Sequence, residues 1–224
     1  LKIDTGKEIN DLRNGLTELM DHVCEYTYEV GQLKDNVIDG IVTMIDDRNA
    51  NEQEYANLSA QYVKVILDEL RKKTEYQSVI TDEFYHTIIK AAPLYDIGEL
   101  SVSDEILGKP GKLTEEEYER VKTHTVSGGE MIAEAIKGSQ SEEYVRLTEQ
   151  MAKYHHEHWD GTGYPEGLKG TDIPLAARII AVPDVFNALI SKRTYKKTRS
   201  IAEAFGIIVM ERGTHFDPDV VDAF

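Results

Sequence analysis

Asp96, His124, His155, His156 and Asp184 are the side chains of this sequence whose types, taken together, could do chemistry. Each falls where a helical pattern ends or meets a loop. Imidazole and carboxylate donors suit iron, manganese, nickel or zinc, and a cluster of them can hold two cations that activate water against a phosphodiester. Successive helical residues point about 100° apart, so His155 and His156 would serve two different metals, or one metal and its supporting shell. A mid-chain His-His pair is also a common capping or surface feature. The residue types alone leave both readings open.

Donors so far apart in sequence must be gathered by rigid elements, and the patterning is helical almost throughout. Ile9, Leu12, Leu16, Leu19, Val23, Tyr26, Val30, Leu33 and Val37 alternate spacings of three and four, which is a heptad seam. β-branched Ile9, Val23, Val30 and Val37 at a positions and Leu12, Leu19 and Leu33 at d favour a parallel two-stranded coiled coil, with an amphipathic helix folded onto its own domain as the alternative. A second helix is expected over residues 51–73, with Leu58, Tyr62, Val65 and Leu70 near one face. Thr114 with Glu117 forms a capping box opening a helix through Ile136, with Glu115 to Glu117 as its solvated acidic first turn. Ser200 with Glu203 opens another that stops at Gly213, and Asp217-Pro218 starts the last. Residues 161–174, GTGYPEGLKGTDIP, hold four glycines and two prolines and must form a loop, against which Trp159 should pack. The expectation is an all-α chain: a coiled-coil signalling helix over residues 1–40 and a helical domain over 41–224.

A net charge of −16 argues against a nucleic-acid polymer or an anionic membrane surface as partner, because phosphates are bound by clustered Lys and Arg. An anionic ligand would need a local basic pocket. Cys24 is the only cysteine, which excludes an internal disulfide and a thiolate-rich zinc site; its helical surroundings predict a buried, inert thiol. No run approaches the ~18 apolar residues of a membrane span, and the start LKIDTGKEIN lacks a signal-peptide layout, so the expected location is the cytoplasm. Opening without Met and ending on Phe224 within a helical pattern, the sequence reads as a piece of a longer protein.

The segments AAPLYDIGELSVSDEILGKPGKLTEEEYERVKTHTVSGGE, YHHEHWDGTGYPEGLKGTDIPLAARIIAVPDVFNAL and GTHFDPDVVDAF resemble the HD-GYP family of cyclic-di-GMP phosphodiesterases over residues 45–224. The resemblance implies an HD-domain-like helical bundle with a two- or three-metal centre that hydrolyses cyclic di-GMP to the linear dinucleotide or to GMP. Asp96, His124, His155, His156 and Asp184 match metal-ligand positions of that family. Gly163, Tyr164 and Pro165 match its namesake loop, and Arg193 and Lys196 the basic pair that approaches the substrate phosphates.

Other positions depart from the pattern. The His-Asp dyad is Tyr95-Asp96, the lysine that closes its motif is Glu99, an upstream histidine falls at Tyr55, and an upstream acidic ligand falls at Asn51. Tyrosine is a poor substitute ligand, its phenol having a pKa of ~10. Pro183 should bend the helix just before Asp184. His22, His86, His158 and His215 match no ligand position and read as structural. The resemblance therefore implies an output domain of bacterial cyclic-di-GMP signalling with impaired catalysis and a divalent metal at reduced occupancy or absent, binding a cyclic dinucleotide or a signalling protein and dimerising through its first helix. The alternative is an active phosphodiesterase with a reduced metal site.

Overall fold

The computed structural model describes residues 5–48, 55–135, 141–191 and 199–224. Among these residues every regular element is helical, as the patterning predicts, with one isolated bridge between Arg212 and Phe216. The chain divides into two units, Leu1–Ile41 and Val42–Phe224. No helix among the described residues is long and apolar enough to cross a membrane.

Helix α1 (Thr5–Arg48) supplies the first unit. Its seam residues Leu12, Leu16, Leu19, Val23, Tyr26, Val30 and Leu33 are all exposed, at 48–68% of their surface. Cys24 is exposed as well, contrary to the buried thiol expected, because a single helix cannot cover its own side chains.

The second unit holds α2 (Tyr55–Leu70), α3 (Thr74–Gln77), α4 (Asp82–Ala91), α5 (Asp104–Leu107), α6 (Glu115–Ala135), α7 (Glu142–Tyr154), α8 (Leu175–Ile190), α9 (Ile201–Met210) and α10 (Pro218–Ala223), with short 3₁₀ turns at Ala92–Leu94, Ile97–Ser101 and Gly170–Asp172. Helix α2 ends at Leu70, three residues before the expected end at Lys73. Its buried stripe is Val63, Ile66, Leu67 and Leu70, and Val65, expected near the buried face, is exposed. Both capping boxes form: Thr114 Oγ1 accepts from Glu117 N–H while Glu117 accepts from Thr114 N–H, and Ser200 and Glu203 do the same.

Helix α8 forms the centre of the core, burying Ala176, Ala177, Ile179, Ile180, Val182 and Phe186 against α2, α7, α9 and α10. Burying an aliphatic side chain of this size contributes roughly 1.5–3 kcal/mol. Tyr62, Phe186 and Phe224 meet edge to face at 5.1–5.7 Å between ring centres, joining α2, α8 and the C-terminus. Pro183 lies inside α8, which continues through it to Ile190.

The second packed layer sets α6 against α7 and against the turn Ile97–Ser101. Gly98 makes that approach possible: a Cβ there would stand 1.8 Å from the His124 carbonyl oxygen and 2.6 Å from Gly128 N. Both obstacles are backbone and cannot swing aside. Gly98→Ala is therefore expected to destabilise the domain by about 1–3 kcal/mol or more, read as a lower urea midpoint, whereas Gly108→Ala, with only Asp104 O at 3.0 Å, should cost less. Equal midpoints for the two variants would refute this account of the turn.

Candidate metal centre

Four of the five sequence-predicted donors converge. The ligand atoms of Asp96, His124, His155 and His156 all lie within 4.8 Å of one another. Each is delivered by packing. On α7, Tyr144, Leu147, Thr148, Met151 and Ala152 form a buried stripe at helical spacing, and His155, the residue that ends the helix, extends it by one more turn. On α6, His124 shares the buried face with Thr125, Gly128 and Ile132. Asp96 sits immediately before the turn that Gly98 presses onto α6.

The histidine tautomers follow from their backbone partners. His124 Nδ1 lies 2.6 Å from Val121 O, and His155 Nδ1 lies 2.9 Å from Ala152 O and 3.1 Å from Met151 O. A carbonyl can only accept, so both Nδ1 atoms donate and both Nε2 atoms face the centre. They stand 3.2 Å apart, with Asp96 Oδ1 at 3.5 Å from His124 Nε2 and 3.2 Å from His155 Nε2. Two lone pairs and a carboxylate this close repel unless something positive lies between them. Burial opposes charging His124, but Asp96 outweighs it and lifts the imidazole to about 8, while the two histidines hold the Asp96 carboxyl well below the usual range. The donors thus fit a cation: two buried imidazoles with fixed tautomers, and one carboxylate.

His156 stays neutral, driven well below the ordinary imidazole value by burial and then by the neighbouring His155. Its ring lies 4.2 Å from that of His155 and 4.9 Å from that of Tyr164. Asp184 stands apart from the four. Its Oδ2 is 3.9 Å from His156 Nδ1, and its Oδ1 accepts a hydrogen bond from Tyr95 Oη at 3.1 Å. Tyr95 also meets His155 edge to face at 5.2 Å, and its phenol is pushed well above its ordinary value by burial and by the Asp184 charge. Glu99 is half-buried, and its negative charge acts on Tyr95, His124 and Tyr164.

The loop carrying Gly163, Tyr164 and Pro165 is fastened to the histidine turn. A Cβ on Gly163 would lie 2.2 Å from His158 N and 2.5 Å from His156 O, and Tyr164 N–H donates to His156 O at 3.1 Å. Glu157, a residue the sequence reasoning passed over, is the clasp. Buried to 3% exposure, its carboxylate accepts from the N–H groups of Glu166, Gly167 and Leu168 at 2.8–3.1 Å. Its place directly after two candidate ligands was the available signal. Trp159 holds the other side, with N–H donating to His215 O, its carbonyl accepting from Gly170 N–H, and the Arg178 guanidinium 5.8 Å from its ring. His158 and His215 meet at a tilt of 40° with 3.9 Å between ring centres, and His22 and His86 are exposed. Asn51, Arg193 and Lys196 lie outside the described residues, as does the side chain of Tyr55.

A model of the HD domain family matches residues 41–220. The chain belongs to that family. It is 40% identical over 197 residues, 88% of the chain and 45% of the relative, to a probable cyclic di-GMP phosphodiesterase of Vibrio cholerae serotype O1. It is 34% identical over its whole length, and over 46% of the relative, to a cyclic di-GMP phosphodiesterase of the same organism. The HD-GYP resemblance thus holds, and the chain spans about half the length of the curated relatives it matches. A crystal structure of a cyclic GMP-AMP-specific phosphodiesterase of V. cholerae superposes with a TM-score of 0.59 at 20% identity, covering 84% of this chain and 47% of that one, which supports the HD-type helical fold.

Calorimetric titration of manganese into the metal-stripped domain should show binding that His124→Ala and His155→Ala abolish and that His215→Ala leaves in place. A raised imidazole pKa means a proton held more tightly, so affinity should fall as pH drops below about 8. Affinity independent of pH between 6 and 9 would exclude His124 as a ligand.

Proposed function

We propose that this chain is an HD-GYP-type output domain of bacterial cyclic-di-GMP signalling, acting in the cytoplasm as a regulatory or binding module with impaired catalysis. The observation that carries this reading is the Tyr95 hydroxyl on Asp184. A phenol occupies a carboxylate that a second divalent ion beside His156 would need, and Glu99 adds an anion near the place a phosphodiester must approach. Asp96, His124 and His155 remain able to hold one divalent ion, such as iron, manganese, nickel or zinc. That ion would supply Lewis acidity toward a phosphate oxygen. The protein's own contribution would be orientation, with the Tyr164 ring beside His156 and the loop of Gly163, Tyr164 and Pro165 forming one wall for a cyclic dinucleotide. Arg193 and Lys196 are the proposed phosphate contacts.

A second reading, an active phosphodiesterase with a reduced metal site, is favoured by the intact convergence of Asp96, His124 and His155. Loss of a preorganised charge contact costs about 3–4 kcal/mol in barrier, or roughly a hundred- to a thousandfold in rate. Chromatography of cyclic di-GMP incubated with the domain and excess manganese or ferrous iron should accordingly show turnover at least about a hundredfold below the intact relatives. Turnover equal to theirs would establish the second reading.

The exposed seam of α1 supports a homodimer as the form that carries the signal, because seven large apolar side chains along one helix are ordinarily covered by a partner. Sedimentation of the full chain at tens of micromolar should give a dimer, and removal of residues 1–40 a monomer. A monomeric full chain would exclude this mode of assembly.

A further inference from the structure

A cyclic dinucleotide carries two phosphates, and a metal at Asp96, His124 and His155 can meet only one of them. The other must approach a chain of net charge −16 without that help. Lys122 stands where it could be met. It lies on α6 two residues before His124, so the two side chains leave the helix about 160° apart and Lys122 does not enter the histidine cluster. Its Nζ lies over the Tyr118 ring, 5.0 Å from the ring centre, and over the Tyr164 ring at 5.5 Å. Tyr164 is in turn 4.9 Å, ring to ring, from His156. The lysine side chain is 29% exposed, so the two aromatic faces hold its ammonium in place rather than leaving it to swing in solvent. Its anionic neighbour, Glu119 at 2.6 Å and one turn back, is itself 60% exposed. A surface pair of that kind contributes little and yields readily to a stronger anion.

We propose that Lys122 is a ligand contact: it takes the second phosphate of a cyclic dinucleotide, the one away from the metal, with the Tyr118 and Tyr164 rings holding its ammonium at the edge of the site. This rests on the reading that the domain binds a cyclic dinucleotide. A phosphate arriving beside Tyr164 replaces Glu119 as the partner of Nζ, and a charge-assisted contact in that half-buried place outlasts one made in open solvent. An ammonium is a compact charge with three rotatable donors, so it can follow a phosphate without demanding one orientation. Lys122 thereby becomes a determinant of specificity. A ligand with a phosphate at each end engages both the metal and the lysine, whereas a mononucleotide engages the metal alone.

The test is calorimetric titration of the manganese-loaded full chain with phosphorothioate-linked cyclic di-GMP, which resists hydrolysis, and separately with GMP, which has a single phosphate. Lys122→Met keeps an unbranched stem between the rings and removes the charge. It should weaken the cyclic ligand about tenfold and GMP by less than about twofold, and should flatten the fall of affinity with added salt. Manganese affinity should stay within about twofold of the wild type, since the histidine donors are untouched. Lys122→Arg should recover most of the loss. Lys72→Met, which removes a lysine in a similar exposed pair with Glu69, should leave both ligands unaffected. Unchanged affinity for the cyclic ligand in Lys122→Met, an equal loss for GMP, or a loss that Lys122→Arg does not recover would each overturn the proposal while the domain remains a cyclic-dinucleotide binder. A wild-type chain that binds no cyclic dinucleotide would overturn that reading itself, and this proposal with it.

Discussion

The Asp96 carboxylate faces two imidazole nitrogens that cannot turn away from it, and the remainder of the centre is arranged around that constraint. His124 and His155 each spend Nδ1–H on a carbonyl of their own helix, one turn back, so ring rotation would cost a buried hydrogen bond on either side. With Nε2 atoms 3.2 Å apart, the pair can be neutral only if a cation lies between them, and otherwise must carry a proton that Asp96 stabilises. Proton and metal compete for one small volume. The same geometry therefore makes the centre selective for deprotonated conditions and rigid in their absence.

Keeping Asp96 at that spot depends on residues without functional groups. Gly98 lets the turn after Asp96 rest on the α6 backbone at the level of His124, and Gly163 lets the next loop rest on the backbone of the histidine turn. Close backbone contact of this kind leaves no slack for a side chain to absorb, so the donors inherit the rigidity of the helices. Glu157 adds an electrostatic anchor. Three N–H groups converge on one buried carboxylate, and removing it would take away the acceptor that gathers all three. Tyr164 owes its place beside His156 to that anchor as much as to its own backbone bond.

The sequence made the helical class and the convergence of Asp96, His124, His155 and His156 legible for different reasons. Helix periodicity and capping boxes are local, so Thr114–Glu117 and Ser200–Glu203 could be read directly, while the meeting of residues 96, 124 and 155 came through resemblance, because periodicity does not say which helices touch. His155 is the partial exception: it continues the Tyr144, Leu147, Met151 stripe and so had to point inward. Val65 was misjudged because α2 is covered from a direction its own pattern does not specify. Cys24 was misjudged because burial was inferred for a helix that covers nothing by itself. The Tyr95–Asp184 bond was beyond reach, since it joins residues 89 positions apart through rotamers that only the packed core determines.

Charge decides what such a centre can accept. Asp96, Asp184 and Glu99 all act on Tyr95, so before any cation binds, the potential there is set by carboxylates in a partly dry pocket, where screening by solvent is weak. A dinucleotide with two phosphates would meet repulsion from all three. Each cation bound at the centre reverses part of that field, so metal and anionic ligand must be linked: whatever factor the metal adds to the ligand's affinity, the ligand adds to the metal's. In a chain of net charge −16 the surface offers no general attraction to compensate. Under the function proposed above, the metal state of the cluster, more than the shape of the loop around Tyr164, would then determine whether a cyclic dinucleotide binds.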